Sequence, residues 1–436
     1  MLIRRRAALG MLGLAASVAV VASAATACSS SPSSNKGSHG HVTLQLWVYP
    51  GYEDVLPPVV KAFNAKYSPA ITVNVTTLPE STYPTKLDLA ISANSGPDLA
   101  IPYNALDLPA GRFLPIEGLL HKAGINLDSF NQGPIKNSCT YNGQVYCIGN
   151  FLGADVMFYN KTLFTKAGVP FPPDNAPLTV GQYVADACKI WNATHTWGAS
   201  SGDPYTWLAR DNYVTPNGQY AHLVTPGLVN AYTAIGSMYK NKCAPSQSLF
   251  DPWNQGADEF SQGKVAMAVT DFRGIAKIEH AGINYGVAPT PVPVGAHPEV
   301  YTWTDALGIV KTTTHLAEAG KFLAFLATTG QRIAVNVAGD FPLSPQVAVQ
   351  LHWAKDPGRQ EFLAVQKLAH PEVYIPNIWN ISGGAYNIFS EVLSGTPPRK
   401  ALAGNQQLYQ TELDQAWSSY MQGTGGHNPN QGITYK

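Results

Sequence analysis

The sequence predicts an exported α/β protein built as two lobes. Residues 41–50, HVTLQLWVYP, alternate as a half-buried strand does. The segment after them carries apolar residues at helical spacing: Val55, Val59, Val60 and Phe63. Strand and helix patterns continue to alternate, which favours parallel β-α-β units. A mature chain of about 400 residues is too long for one hydrophobic core, so we expect two domains.

Three further segments extend the pattern. AITVNVTTL reads as a strand, and YPTKLDLAISANSGPDLAIPY reads as a helix, a Ser-Gly-Pro break and a short strand. The strand pattern returns in GADVMFYN, VAMAVTD and ALGIVKT. Periodicity therefore indicates the fold class and leaves the function open.

Residues 1–27 have the layout of an export signal. Arg4, Arg5 and Arg6 precede an apolar run from residue 7 to 21, and small residues follow up to Ala27. This run is shorter than the roughly 20 residues of a membrane-spanning helix. The triple arginine leaves open whether export follows the general or the twin-arginine route.

Cys28 stands where the apolar signal gives way to serine and glycine. Ala25-Thr26-Ala27-Cys28 resembles the lipobox of bacterial lipoproteins, in which the cysteine becomes the lipid-modified N-terminus. We therefore expect Cys28 to anchor the chain and residues 28–40 to be a flexible tether. The alternative is an ordinary signal peptide cleaved near Ala27, with Cys28 incidental.

The charge balance and the cysteine content narrow the functional class of the protein. Without the three signal arginines, 25 basic residues face 28 acidic ones, so no basic field for nucleic acid is expected. Cys139 and Cys147 flank an Asn-Gly turn and are predicted to bridge, leaving Cys188 and Cys243 as the second pair. Other connectivities and free buried thiols remain alternatives. No Cys/His spacing suits zinc, and neither a metal nor a cofactor is expected.

Five blocks, in order, resemble the extracellular solute-binding proteins of carbohydrate ABC importers, the maltose-binding-protein type. The opening TLQLWVYPG to DLAIPY is the first block, and GQVYCIGNFLGADVMFYNKTLFTKAGV is the most recognisable. FSQGKVAMAVTDFRG, YGVAPTPVP and the pair AGKFLAFLATTGQ and FPLSP follow. The resemblance implies a periplasmic-binding-protein-like fold: two α/β lobes joined by crossing strands, with a ligand cleft between them.

The resemblance also implies where the chain crosses between the lobes. Crossings are expected near residues 148–153, 267–271 and 327–330. Lobe one then comprises residues 41–148 plus 270–326, lobe two comprises 149–269 plus 331–425, and 426–436 form a C-terminal tail.

Sugars are bound by charged or amide side chains that hydrogen-bond their hydroxyls and by aromatic rings that stack on their C–H faces. Residues of these types near the expected cleft are the candidate ligands: Tyr49, Glu53, Tyr103, Asn104, Asp155, Trp207, Asp271, Arg273, Trp303, Asp305, Tyr374 and Trp379. Trp47 is expected instead to be a core aromatic residue.

Two candidates carry specific expectations. Asp155 lies in an otherwise apolar strand, where a charge must be paired or face a cavity. Its alternative is a salt bridge within lobe two. Arg273 stands where the family commonly has tryptophan, and an arginine there suits an anionic group. Its alternative is a pairing with Asp271.

The expected function is capture of a mono- or oligosaccharide and its delivery to an ABC permease, without catalysis, by a monomer on the outer face of the cell membrane. Arg273 keeps an anionic sugar derivative, such as a phosphate, sulfonate or acid, as the alternative ligand, or another small solute. A secreted glycoside hydrolase is the enzyme alternative, but neither a Gly-x-Ser-x-Gly elbow nor a His-Glu-x-x-His motif is present in the sequence.

Overall fold

The computed structural model describes residues 40–52, 55–200, 210–245, 255–296, 300, 302–368, 373–376, 383–426 and 428–429. The expected signal segment with Cys28, most of the expected tether and most of the expected C-terminal tail therefore lie outside the described residues. From His41 onwards the chain forms one compact unit.

The strands are β1 (Val42–Val48), β2 (Ile71–Thr77), β3 (Leu99–Ala100), β4 (Phe113–Leu114), β5 (Thr140–Tyr141), β6 (Gln144–Val145), β7 (Cys147–Gly149), β8 (Gly153–Asn160), β9 (Met267–Asp271), β10 (Tyr285–Ala288), β11 (Thr302–Trp303) and β12 (Ala306–Val310). The α-helices are α1 (Leu56–Tyr67), α2 (Tyr83–Ser92), α3 (Glu117–Lys122), α4 (Gln132–Cys139), α5 (Lys161–Ala167), α6 (Val180–Thr194), α7 (Pro226–Lys240), α8 (Gln255–Ser261), α9 (Ile275–His280), α10 (Leu316–Phe325), α11 (Gln331–Ala338), α12 (Pro345–Gln350), α13 (Pro357–Gln366), α14 (Gly383–Leu393) and α15 (Pro398–Thr424).

Local sequence accounts for several of these boundaries. Prolines fill the first turn of α1, and its buried Leu56, Val59, Val60 and Phe63 follow the predicted helical spacing. Helix α6 begins with a capping box, in which the Thr179 side chain accepts the N–H of Gln182. Helix α15 starts at prolines and ends at Gly425, whose positive φ of 66° suits glycine.

The first sheet has the order β2-β1-β3-β12-β4, and β7 also pairs with β12. Strands β1, β2 and β3 are parallel, as the alternating pattern predicts. Strand β12 runs antiparallel to β3, β4 and β7. Because the carboxyl ends of the three parallel strands share one edge, the loops after them meet there.

The second sheet is centred on β8, which pairs with β9, β10 and β11. All three pairings are antiparallel, whereas the alternating pattern led us to expect parallel units here too. Strand β8 has a core on each face. Ala154, Val156 and Phe158 join the hydrophobic cluster that also lies under the first sheet, while Met157 and Tyr159 join a second cluster with α6, α7 and α15.

The chain first passes from one sheet to the other between β7 and β8, within the expected residues 148–153. At the expected second crossing, 267–271, β9 is hydrogen-bonded along β8, and β10 follows it into the same sheet. The chain returns to the first sheet between β11, paired with β8, and β12, paired with the first sheet. The lobe boundaries themselves stay a prediction.

The expected third crossing, 327–330, falls within a helical turn. Leu326–Gly330 is a π-helical turn that packs against α1 and β7 of the first sheet. The chain meets the start of β8 farther along, where the N–H of Leu152 donates to the carbonyl of Phe341 at 2.7 Å.

Both predicted disulfides are present. Cys139–Cys147 closes the β5–β6 hairpin against β7, and Cys188–Cys243 joins α6 to the turn after α7. The first bridge therefore fixes the strand that leads directly into the first crossing.

Candidate functional site

Four tyrosines form a cluster at the carboxyl edge of the first sheet. The ring of Tyr49, directly after β1, lies 5.5 Å from Tyr52, 5.4 Å from Tyr83 and 5.4 Å from Tyr103, measured between centroids. All three contacts are edge-to-face, the arrangement that aromatic quadrupoles favour. We call Tyr49, Tyr52, Tyr83 and Tyr103 the tyrosine cluster; it brings two sequence-predicted residues, Tyr49 and Tyr103, together.

Tyr83 ties this cluster to the end of β3. Its hydroxyl accepts the N–H of Ile101 at 2.8 Å and donates to the Ile101 carbonyl at 3.0 Å. Burial raises the pKa of Tyr83 well above its ordinary value, so the phenol stays neutral and can do both. The chain leaving β3 is thereby held against α2.

Asp107 shapes the loop that carries Tyr103 and Asn104. Its carboxylate accepts the backbone N–H groups of Tyr103 at 2.7 Å and Asn104 at 2.8 Å. The Arg112 guanidinium donates to its other oxygen at 2.6 Å, and Asp107 is only 1% exposed. Three charge-assisted hydrogen bonds therefore fix the backbone of this loop.

Asp155 and Asp271 lie directly opposite each other on β8 and β9. Directly opposed residues of an antiparallel pair project from the same sheet face, so the two carboxylates are neighbours. Both side chains are partly exposed, whereas β8 between Val156 and Tyr159 is buried. The buried part of the second sheet therefore ends at this sequence-predicted pair.

Trp303 lies on the same face. It pairs with Gly153, which shares a face with Asp155 because side chains alternate along a strand. A side-chain carbon added to Gly153 would collide with the Trp303 indole, so the ring lies directly over the glycine backbone. An aromatic surface and two carboxylates are therefore adjacent.

Asp305 connects this face to the tyrosine cluster. Burial raises the pKa of Tyr49 and of Tyr52, and the charge of the nearby Asp305 carboxylate raises both further. Asp305 lies only two residues after Trp303, on the second crossing. The candidate residues thus form two groups, the tyrosine cluster with Asp305 nearby and Trp303 beside Asp155 and Asp271, and the segment 303–305 links them along the chain.

The two crossings that border the site touch each other. The Thr304 hydroxyl donates to the buried carbonyl of Phe151 at 2.7 Å. A side-chain carbon on Gly149 would collide with Thr304, so glycine is required for this approach. These contacts place Trp303 and Asp305 relative to β8.

The other predicted residues have different positions. Tyr374 packs against Tyr420 of α15, 5.4 Å between centroids, and no described contact joins it to the tyrosine cluster. The Arg273 backbone lies in the turn after β9, and its side chain lies outside what the structure describes. Glu53, Trp207 and Trp379 are also outside the described residues.

Sequence reasoning missed Tyr83 and Asp107, because neither residue belongs to a recognisable sequence motif. The role of Tyr83 depends on tertiary hydrogen bonds to Ile101, and that of Asp107 on hydrogen bonds to Tyr103 and Asn104 within its own loop. The position of Asp107, four residues past an aromatic at a strand end, is a weak signal in retrospect.

Two searches of the described residues gave no further site. They contain no group of three or more His, Cys, Asp or Glu side chains arranged to hold a metal ion. No described helix is both long and apolar enough to span a membrane.

Comparison with known proteins gives a family match over most of this architecture. Residues 59–361 match the profile described as bacterial extracellular solute-binding protein. A putative binding protein of Brucella abortus is 27% identical over 356 residues, covering 77% of this chain and 84% of the relative. The sn-glycerol-3-phosphate-binding periplasmic protein UgpB of Rhizobium meliloti is 22% identical over 345 residues, covering 70% and 77%.

A solved structure has the same fold. The GacH receptor of Streptomyces glaucescens, studied unliganded and in complex with acarbose, superposes with a TM-score of 0.70 at 22% identity. The match covers 85% of this chain and 98% of the receptor. It supports the two-lobed fold with an intervening cleft.

Proposed function

The chain belongs to the bacterial extracellular solute-binding protein family, and from that premise we propose that it captures a neutral mono- or oligosaccharide for an ABC importer. The observation that carries the proposal is the composition of the candidate site. Tyrosine and tryptophan rings lie beside Asp155, Asp271 and Asp305, which is the combination that suits sugar faces and sugar hydroxyls.

The charges of the site favour a neutral ligand over an anionic one. Asp155, Asp271 and Asp305 surround the site, and Glu80 accepts a hydrogen bond from the Tyr103 hydroxyl at 3.3 Å. An anionic ligand would experience repulsion from these carboxylates. The similarity to UgpB, a protein named for binding sn-glycerol 3-phosphate, keeps a phosphate ester as the competing ligand class, with Arg273 as its partner.

The proposal includes three further parts. The lobes divide at residues 149–153, 303–306 and near 339–343, where the chain passes between the sheets. Asp155, Asp271, Trp303, Asp305, Tyr49, Tyr103 and Asn104 hold the ligand, and the remaining predicted residues are secondary. The site binds without catalysing a reaction, and closure of the lobes presents the loaded monomer to the permease.

Lipid attachment at Cys28 would keep the binder near its permease. The lipobox-like sequence and the serine- and glycine-rich residues that follow it support this. Mass spectrometry of the N-terminal peptide from membranes checks it: a diacyl-modified Cys28 is expected, and release of a Cys28→Ser variant into the medium is the matching control. An unmodified Cys28 would contradict the anchor.

A thermal-shift screen tests the ligand class. Neutral sugars (maltose, maltotriose, acarbose), polyols and sn-glycerol 3-phosphate are compared, because a ligand that binds only the folded state raises the unfolding midpoint. We expect shifts with at least one neutral sugar. A shift with sn-glycerol 3-phosphate alone would reject the neutral-sugar proposal in favour of Arg273 and an anion.

A further inference from the structure

The loop after β3 reaches across to the end of α15. Leu106 packs against the second hydrophobic cluster, although its loop emerges from the first sheet. A side-chain carbon added to Gly423, in the last turn of α15, would lie 2.6 Å from Leu106 Cδ2. Glycine at this position therefore leaves room for the leucine.

The same loop carries Tyr103 and Asn104, whose backbone Asp107 fixes by hydrogen bonds. Leu106 is held in the same turn, where its carbonyl accepts the N–H of Ala110 at 2.9 Å. One rigid loop thus presents polar residues to the site and an apolar residue to the opposite half of the molecule.

A second segment of the first-sheet side lies near the end of α15. Burial raises the pKa of Tyr420, a hydrogen bond with Tyr374 lowers it, and the charge of Tyr141, on the β5–β6 hairpin closed by Cys139–Cys147, raises it further. The hairpin and the loop of Leu106 are therefore both close to the same helix end.

We propose that Leu106 seated on Gly423 is a latch that stabilises the closed arrangement of the two lobes. The latch rests on the proposed binding function, since it raises ligand affinity by favouring the state in which both halves contact the ligand. Because Leu106 shares its loop with Tyr103 and Asn104, ligand contact and latch closure reinforce each other.

The test separates the latch from the ligand site by measuring lobe distance without ligand. Leu89 on α2 and Leu408 on α15, which are 65% and 43% exposed, are each substituted by cysteine, and a spin label is attached to each thiol. A Cys28→Ser change leaves the two label sites as the free thiols, because the other four cysteines form disulfides. Pulsed electron-spin measurements then compare wild type, Gly423→Ala, Leu106→Ala and the double variant.

Gly404→Ala is the matched control, because Gly404 lies on the same helix with no atom within 4 Å of an added carbon. We expect Gly423→Ala and Leu106→Ala to shift the distances upwards and to weaken maltotriose binding about tenfold, the equivalent of about 1.4 kcal/mol. Gly404→Ala is expected to match wild type. The double variant should be no worse than Leu106→Ala, since the truncated side chain leaves space for the added carbon.

Unchanged distances in Gly423→Ala, or additive effects in the double variant, would overturn the latch. Failure of maltotriose to bind wild type would instead count against that sugar as the ligand, and the ligand-free distances would still decide the latch. Far-ultraviolet circular dichroism of Gly423→Ala and Gly404→Ala establishes that α15 is intact in both variants.

Discussion

The two halves of the candidate site are positioned in different ways. On the first sheet, Tyr49 and Tyr103 lie on loops and are held by ring packing and by the buried carboxylate of Asp107. On the second sheet, Asp155 and Asp271 lie on paired strands and are held by backbone register.

This difference determines how each half responds to change. A residue on a loop depends on the side chains that support it, so distant substitutions displace it. A residue in a strand keeps its direction as long as the ladder holds, so its chemistry can be altered alone. We therefore expect losses of stability from the first half and losses of affinity from the second.

Asp107→Ala is expected to give the largest effect, a loss of about 3–5 kcal/mol in the free energy of unfolding. The substitution leaves the Arg112 guanidinium and two backbone N–H groups without their carboxylate partner in a buried position. Urea denaturation measures this loss.

Asp88→Ala is the control. Asp88 also pairs with Arg112 at 2.8 Å but is 34% exposed, so its substitution should cost no more than about 1 kcal/mol. Equal losses would show that Asp107 has no special role in the loop.

Asp155→Ala is expected to weaken sugar binding about 100-fold, or about 2.7 kcal/mol, with the fold intact. The substitution removes a charged hydrogen-bond acceptor from the site without changing the β8–β9 backbone pairing. Titration calorimetry measures the affinity, and Asp174→Ala, at an exposed position, provides the comparison. Wild-type affinity in Asp155→Ala would exclude this face from the binding site.

Gly153→Ala is expected to weaken binding about tenfold, or about 1.4 kcal/mol. The added methyl group must displace the Trp303 indole, which lies directly over Gly153. Gly118→Ala on α3 adds the same group where nothing lies within 4 Å and should leave affinity unchanged. Tryptophan fluorescence reports whether the indole moves, and calorimetry measures the affinity. A shifted emission with unchanged affinity would show that Trp303 does not contact the ligand.

The smallest effect, that of Tyr49→Phe, is confined to alkaline solution. Burial raises the pKa of Tyr49, Tyr52 and Tyr83, so these phenols lose protons in the unfolded chain before they do so in the folded one. Their contribution to stability is complete below their ordinary pKa of about 10 and falls as the pH rises above it, by about 1.4 kcal/mol per pH unit for each phenol. Urea denaturation between pH 8 and 11 measures the slope, which Tyr49→Phe should reduce. An identical slope in that variant would contradict the burial of Tyr49.

Much of the fold is predictable from the sequence because periodicity reports local burial. The alternation in residues 41–50 corresponds to β1, and the spacing of Val59, Val60 and Phe63 corresponds to the buried face of α1. The Asn-Gly turn correctly indicated the Cys139–Cys147 bridge. These features are encoded within a few neighbouring residues.

Sheet membership could not be predicted in this way, because strand patterns do not say which sheet a strand joins. Met267–Asp271, for example, pairs with β8 along its whole length. Tyr83 carries no local signal, since its partner Ile101 lies on another segment, and Asp107, which binds its own loop, carries only a weak one.

The most direct test of the account is calorimetric titration with a neutral oligosaccharide, such as maltotriose or acarbose, at low and high ionic strength, beside sn-glycerol 3-phosphate. The account predicts binding of a neutral sugar with an affinity that salt leaves unchanged, because no ligand charge is available to be screened. Binding of sn-glycerol 3-phosphate alone, weakening as salt is added, would contradict it.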